Sequence, residues 1–416
     1  MTLFEELEWR GMVSEVTDGV REALASERVT AYIGFDPTAS SLHVGSLLTV
    51  MGLARLQRFG HTPIAIVGGG TGMIGDPSGK SQERNLLSSA QIDENVAGIR
   101  SQLVHFLNFD TAPNAARIIN NADWLGTIDV ISFLRDVGKH FTVNYMLAKD
   151  SVSRRIEKED GISYTEFSYL VLQAYDYLQL FDRQHCTLQM GGSDQWGNIT
   201  AGIELIRKVH AKKAHGLVWP LLKTSSGTKF GKTEAGTVWL DPARTSQRDF
   251  YQFWLQTDDR DVINYLKYFT WLDRAAIETL ERSVSDDPAA RLAQKTLAME
   301  ITKAVHGDAA LKSVLDDASL RFGGAATAES LQQVTPAASI ARDRFSQGLT
   351  NCELVVIAGL AKSKSEAARL IEQGGVSIND VVVSDARGVI TESSALGGRF
   401  KVSKGRRNVA VVEITP

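Results

Sequence analysis

The stretch that most constrains the fold is residues 32–46, Tyr-Ile-Gly-Phe-Asp-Pro-Thr-Ala-Ser-Ser-Leu-His-Val-Gly-Ser. The β-branched and aromatic run at 29–35 predicts a buried strand. Beyond it, Leu47, Leu48, Val50, Met51, Leu53, Ala54 and Leu56 fall at helical spacing, and Gly60 stops the helix. Between strand and helix lies a loop holding Pro37, Thr38, two serines and His43. A helix N-terminus has free N–H groups and the positive end of a dipole, so this junction favours an anion. Thr38 and His43 are placed to donate to it. A histidine that merely caps the helix is the plainer alternative at this stage.

The next strand, 62–67, follows at a pace that implies a parallel sheet. It runs into a glycine-rich stretch with two misleading motifs. Gly70, Gly72 and Gly75 match the dinucleotide fingerprint, but Asp76-Pro77-Ser78-Gly79 breaks the helix that the fingerprint must open. Gly79-Lys80-Ser81 mimics a P-loop, but the spacing back to Gly75 is one residue short. The stretch reads as a wide glycine loop in which backbone approaches a ligand, with Asp76 as a carboxylate and Lys80 and Arg84 as cations.

Further along, Ser88 with Gln91 caps a helix, 117–120 is a short strand and 129–138 a helix. Ser163 with Glu166 caps a long helix over 164–180, on which Tyr169, Gln173 and Asp176 share one face. That face has no Lys or Glu, which favours a ligand pocket over a solvated stripe. The strand 186–190 turns through Gly191, Gly192, Asp194 and Gln195 into another helix, a setting where a ribose fits. A basic loop over 223–233 carries Lys229, Lys232 and Thr233. Alone it reads as a solvated lysine loop.

The 416 residues are too many for one ordinary domain, and 43% hydrophobic with 23% charged residues marks a globular chain. The net charge of -4 leaves any nucleic-acid contact to local patches. Two cysteines suggest neither a disulfide framework nor a zinc site, so no metal site is expected. Glu5, Glu6 and Glu8 are wrong for a signal peptide, and the apolar run 354–361 is far too short to span a bilayer. The division expected is 1–240 as an α/β domain, 241–322 as helices, 323–350 as a Gly-, Ala-, Ser- and Thr-rich linker and 351–416 as a small α+β tail. The tail holds nine Lys and Arg against seven acids, so it is net +2 against -6 for the rest.

Several stretches together point to a family. His43-Val44-Gly45-Ser46 resembles the first signature of class I aminoacyl-tRNA synthetases, and Lys229-Phe230-Gly231-Lys232-Thr233 resembles the second. Gly-Phe-Asp-Pro-Thr before the histidine, Gly-Asp-Pro-Ser-Gly-Lys at 75–80, Tyr169…Gln173…Asp176 and Gly-Ser-Asp-Gln-Trp-Gly at 192–197 narrow the resemblance to the bacterial tyrosyl-specific branch. The tail, with Ala-Lys-Ser-Lys-Ser-Glu-Ala-Ala-Arg at 361–369, is similar to S4-type RNA-binding modules. Ser46 stands where the general signature has a second histidine, and Phe230-Gly231 where it has Met-Ser. Both are variants of this branch.

The resemblance implies a Rossmann-like parallel-sheet catalytic domain with an inserted dimerisation segment, a helical anticodon-binding domain and an S4-like module. It implies a cytoplasmic homodimer that joins tyrosine to ATP as tyrosyl-adenylate and then transfers it to tRNA(Tyr). Magnesium accompanies ATP, with no tightly bound cofactor and no membrane partner. Thr38, His43, Lys80, Arg84, Lys229, Lys232 and Thr233 are the implied catalytic groups on the phosphates. Tyr32 and Asp176 are implied for the phenol hydroxyl, and Asp76, Tyr169 and Gln173 for the ammonium. Gly34, Asp36, His43, Gly45, Ser46, Gly191, Gly192, Asp194, Gln195 and Lys232 are implied for ATP, and Lys362, Lys364 and Arg369 for RNA. The reaction suits this inventory, because an ionised carboxylate attacks and no general base is required. A class I-like adenylyltransferase without RNA, and a catalytically silent RNA-binding relative, are the readings from other classes. The first leaves the helices and basic tail without a role, and the second leaves His43, Lys229 and Lys232 without one.

Overall fold

The computed structural model describes residues 1–78, 87–110, 113–157, 161–227, 230–233, 236–322, 326–332, 334, 336–405 and 408–416. At 150–151, 232–233 and 320–322 the description is of the backbone alone. The chain folds as two compact units, Met1–Val305 and His306–Pro416.

The first unit is built on a six-stranded sheet in the order β1-β6-β5-β2-β3-β4. The strands are β1 (Glu15–Val16), β2 (Thr30–Phe35), β3 (Thr62–Val67), β4 (Arg117–Asn120), β5 (Leu188–Gly192) and β6 (His215–Trp219). All pair in parallel except β1, which runs antiparallel to β6. Every residue of β3 is buried, as expected for a strand covered on both faces. Successive strands from β2 step one way to β4, whereas β5 and β6 lie on the other side of β2. The order therefore reverses between β2 and β5, the place where open α/β sheets form a crevice at their carboxyl ends.

Two helices frame that crevice. The signature helix, Val44–Arg58, buries Leu47, Leu48, Val50, Met51 and Leu53 against the sheet, and the chain leaves it through Gly60 at φ +90°. The stripe helix, Tyr164–Gln184, is capped by Ser163, whose hydroxyl accepts from the Glu166 N–H. Its apolar residues Leu170, Ala174 and Tyr177 enter a core with Ile64, Ile66 and Leu205. The segment 129–138, expected as one helix, begins as a short α-turn (Val130–Ser132) and continues as π-helix (Phe133–Val137).

A two-stranded ribbon, β7 (Lys232–Thr233) with β8 (Gly236–Thr237), precedes three helices at Gln247–Leu255, Asp259–Phe269 and Arg274–Asp286. These helices fold into the same compact unit as the sheet. The helical run begun at Leu292 is interrupted at Gly307, with φ +84° and ψ 171°.

The second unit carries a five-stranded sheet in the order β11-β10-β12-β13-β9. Its strands are β9 (Ala338–Ala341), β10 (Val376–Ile378), β11 (Val381–Val382), β12 (Arg399–Lys404) and β13 (Asn408–Thr415). Helices Asn351–Ile357 and Lys364–Glu372 pack on it around Phe400, Val402, Leu354 and Ile371. Here the linker reading of 323–350 is corrected. Ala338–Ala341 pairs in parallel with β13, and Ile340 is buried in the core. Alternating small residues concealed a strand whose single large side chain does the packing.

Candidate active site

A cavity of about 620 Å³ opens at the carboxyl ends of β2, β3 and β5. It is lined by Tyr32, Gly34, Asp36, His43, Gly45, Ser46, Asp76, Tyr169, Gln173, Asp176, Gly191, Gly192, Asp194 and Gln195 from the expected set. Thr38 is exposed on the loop and is not among the lining residues. Lys80, Arg84 and Lys229 lie outside the described residues, and Lys232 and Thr233 are described by backbone alone, in β7.

The cavity has a buried end. Asp176 is 3% exposed, and its carboxylate accepts from Asn121 Nδ2 at 2.9 Å and Trp124 Nε1 at 2.7 Å. Burial pushes its pKa up to about 7, against the two hydrogen bonds, which favour the ionised form. Tyr32 is 1% exposed, and its hydroxyl has no hydrogen-bond partner among the described residues. Burial, and next the Asp176 charge, raise the Tyr32 phenol well above its ordinary value, so it stays a neutral donor. A hydroxyl-bearing ring entering here gains both partners at once. Left alone, a buried unpaired hydroxyl costs about 1–3 kcal/mol.

Midway, polar side chains form one network. Gln195 Nε2 donates to Asp76 Oδ2 at 2.7 Å, and Gln173 Nε2 donates to Gln195 Oε1 at 3.2 Å. Asn198 Nδ2 donates to Gln173 Oε1 at 2.9 Å. Asp76 Oδ1 also accepts from the Ser78 N–H at 2.8 Å. One carboxylate among amides suits a single ammonium group. Gln195, expected beside adenosine, makes these bonds within the Asp76 cluster. Asp36, also expected at the nucleotide, accepts from the Tyr169 hydroxyl at 3.2 Å and from Thr71 Oγ1 at 3.4 Å.

The open end is the start of the signature helix. His43 occupies the N-cap position, but its side chain makes no capping bond, so the plain capping reading does not hold. Its ring packs over Gly45, where a Cβ would lie 2.8 Å from Cε1 and 2.9 Å from Nδ1. The positive end of the helix dipole and an imidazole meet here, which suits a phosphate. Beside this end, the Gly191–Gly192 turn of β5 leads to Asp194, and a Cβ on Gly192 would lie 2.7 Å from its Oδ1.

Asn121, Trp124, Asn198 and Thr71 were not singled out from the sequence. Asn121 directly follows β4, and the rule that ligands gather at the carboxyl ends of strands points to it. Trp124 and Asn198 carry no such signal, because each acts through a side chain brought in by tertiary packing. In the second unit, Lys362, Lys364 and Arg369 are all exposed around the helix Lys364–Glu372. Lys364 also pairs with Glu353 at 2.8 Å.

Residues 24–323 match the family model of class I tRNA synthetases (W and Y), and residues 353–391 match the S4 domain. The chain is 52% identical to a tyrosine–tRNA ligase of Roseiflexus castenholzii over 99% of both chains. It is 51% identical to that of Geobacillus stearothermophilus over 97% of both. A C-terminally truncated mitochondrial tyrosyl-tRNA synthetase of Aspergillus nidulans superposes with a TM-score of 0.69 at 31% identity, covering 77% of this chain and 94% of that one.

Proposed function

The chain belongs to the class I tRNA synthetase family of the tryptophanyl and tyrosyl type, and from that premise we infer that it is an ATP-dependent tyrosine–tRNA ligase. The observation that carries the amino-acid assignment is the buried pair of Tyr32 and Asp176, a donor and an acceptor at the closed end of the cavity. An indole has no hydroxyl to accept from Tyr32, so the pair favours tyrosine over tryptophan.

The chemistry then follows the cavity from end to end. The phenol hydroxyl lies between Tyr32 and Asp176. The ammonium lies at Asp76, steadied by Gln173 and Gln195. The carboxylate thereby faces the α-phosphate of ATP near His43 and attacks it without a base; the bond to the β-phosphate breaks and pyrophosphate leaves as tyrosyl-adenylate forms, so catalysis is alignment plus stabilisation of charge on the phosphates. His43 and the signature-helix N-terminus supply part of that stabilisation, and Lys229, Lys232, Thr233, Lys80 and Arg84 supply the remainder, with Thr38 at the loop. Magnesium enters on the phosphates of ATP and needs no cage of protein ligands. Gly34, Gly45, Ser46, Gly191, Gly192 and Asp194 give backbone approach and ribose contacts. A hydroxyl of the 3′-terminal ribose of tRNA(Tyr) then attacks the tyrosyl carbonyl, the acyl–phosphate bond breaks and AMP leaves, with Lys362, Lys364 and Arg369 on the RNA.

The helices of 241–322 are read as anticodon-binding and the site of action as the cytoplasm. No helix among the described residues is long and apolar enough to cross a membrane. A homodimer is supported by the exposed side chains of Val130, Ile131, Leu134, Val143, Leu147 and Tyr164, apolar groups close together in the sequence that a second copy would cover. The test is charging of tRNA(Tyr) with labelled tyrosine. ATP-dependent charging is expected, and its absence in an enzyme that still forms adenylate would leave the RNA-free adenylyltransferase reading standing.

A further inference from the structure

Phe230 stands in the second signature, between Lys229 and Lys232. Its ring borders the cavity but packs chiefly among aromatic side chains. Only 5% exposed, it stacks on Phe269 at 5.8 Å and 12° and meets Tyr265 edge-on at 5.0 Å. Phe253 and Trp254 complete the socket, each at 5.8 Å. Tyr265 and Phe269 lie on the helix Asp259–Phe269, and that helix holds the same loop a second time. The Asp261 carboxylate accepts from the Ser225 N–H at 3.0 Å and from its hydroxyl at 3.0 Å.

The carboxyl end of this helix is tied to the signature helix. Arg55, fully buried, donates to the carbonyls of Tyr268 at 2.8 Å, Thr270 at 2.9 Å and Lys267 at 3.1 Å. Arg10 adds bonds to Lys267 at 2.7 Å and Leu272 at 2.8 Å. These are the carbonyls a helix end leaves unpaired, and the end favours a cation.

The residue after Phe230 closes the circuit. Gly231, at φ +80°, lies so near the start of the signature helix that a Cβ there would be 2.8 Å from Val44 Cγ2. Its carbonyl accepts from the Val238 N–H at 3.1 Å, and the Val238 carbonyl accepts from the Val44 N–H at 3.0 Å. A path of contacts thus leaves the signature helix at Arg55, passes along the helix Asp259–Phe269 to the Phe230 ring, and returns to the signature helix at Val44. Arg55, the Phe230 ring and Val44 are buried, so the two signatures share one frame.

We propose that Phe230 is a positioning residue for adenylate formation, its ring fixing the backbone of Gly231 and Lys232 against the first signature through the socket on the helix Asp259–Phe269. This rests on the reading of the chain as a tyrosine-activating enzyme. Only ratios to the unmodified enzyme in the same assay test it, whereas failure of the unmodified enzyme to activate tyrosine would fall on that reading.

The experiment is a kinetic cycle on the full chain with Phe230→Ala and Lys232→Ala, singly and together. Phe230→Ala should slow adenylate formation about tenfold or more, since small misplacements of a charge-stabilising group are expensive in rate. The tyrosine dissociation constant should stay within about twofold, because no ring of the socket is among the groups assigned to hold tyrosine. Added to Lys232→Ala, the same change should cost less than about twofold, since residues acting through one another are not additive. Phe230→Met, which refills the volume, should recover most of the lost rate and guards against a folding defect. Losses that multiply independently in the double variant would overturn the proposal. So would a weakening of tyrosine binding as large as the loss of rate.

Discussion

Tyr32 and Asp176 line the same buried end of the cavity, but the described structure does not satisfy them equally. The Asp176 carboxylate accepts from Asn121 and Trp124, whereas the Tyr32 hydroxyl has no partner. The arrangement is a preset acceptor beside an unspent donor. It predicts that discrimination between tyrosine and phenylalanine, which differ by one hydroxyl, is read there.

The first prediction follows directly. Phenylalanine leaves the Tyr32 hydroxyl unpaired, and the loss for a site built around a hydroxyl is about 10⁴–10⁵ in specificity. That magnitude comes from a tyrosyl-tRNA synthetase and is borrowed for this chain. Tyr32→Phe should lower the tyrosine-to-phenylalanine ratio of kcat/KM moderately. Asp176→Ala should lower it further, with a separate thermal melt to detect folding damage. Ratios unchanged from the unmodified enzyme would place the hydroxyl contact elsewhere.

The second concerns pH. Asp176 has a folded-state pKa of about 7, raised above that of an unfolded carboxyl mainly by burial. The folded state therefore favours the protonated form, and ionising the group destabilises the empty protein as pH rises from the unfolded value towards about 7. Asp176→Asn removes that titration. Its Tm relative to the unmodified protein should rise between pH 4.5 and pH 7.5 without tyrosine. A difference in Tm that stays flat across that interval would contradict the assignment.

A third prediction is steric. Gly98, on the helix Ser89–Leu103, lies so close to the loop before the signature helix that a Cβ there would collide with the Ser40 carbonyl oxygen. That neighbour is backbone and cannot swing aside. Gly98→Ala should displace residues 38–43, slow adenylate formation and lower stability by about 1–3 kcal/mol, as overpacking does. Gly45→Ala meets the His43 ring instead, which can turn. It should reduce activation with a smaller loss of stability. Calorimetry and activation rates on both variants separate the two cases.

How much of this was legible in the sequence depended on the range of the interaction. The strands at Thr62–Val67 and Arg117–Asn120, and the caps at Ser88 and Ser163, rest on local pattern, and they stand at the expected residues. The polar face of Tyr169, Gln173 and Asp176 was visible because helical period alone brings them together. Gln195 was visible as a turn residue, but its bond to Asp76 spans 119 residues and no spacing rule reaches that far. The Phe230 socket and the Arg55 clasp were hidden for the same reason. Strand β9 was missed because its local composition resembles a linker, and its pairing with β13 spans about seventy residues.

The fourth prediction concerns the tail. Lys362, Lys364 and Arg369 are exposed and lie in a unit remote in sequence from the nucleotide signatures. Replacing all three with Gln should leave tyrosine activation intact. Charging of tRNA should weaken, and its salt dependence should become shallower as phosphate contacts are lost. Unchanged charging at both low and high salt would remove these residues from the RNA surface.

The central claim is that this cavity activates tyrosine, and amino-acid-dependent exchange of labelled pyrophosphate into ATP tests it most directly. With each of the twenty standard amino acids supplied alone, exchange should occur with tyrosine and stay at background with the other nineteen. Equal exchange with tryptophan, or none with tyrosine, would contradict it.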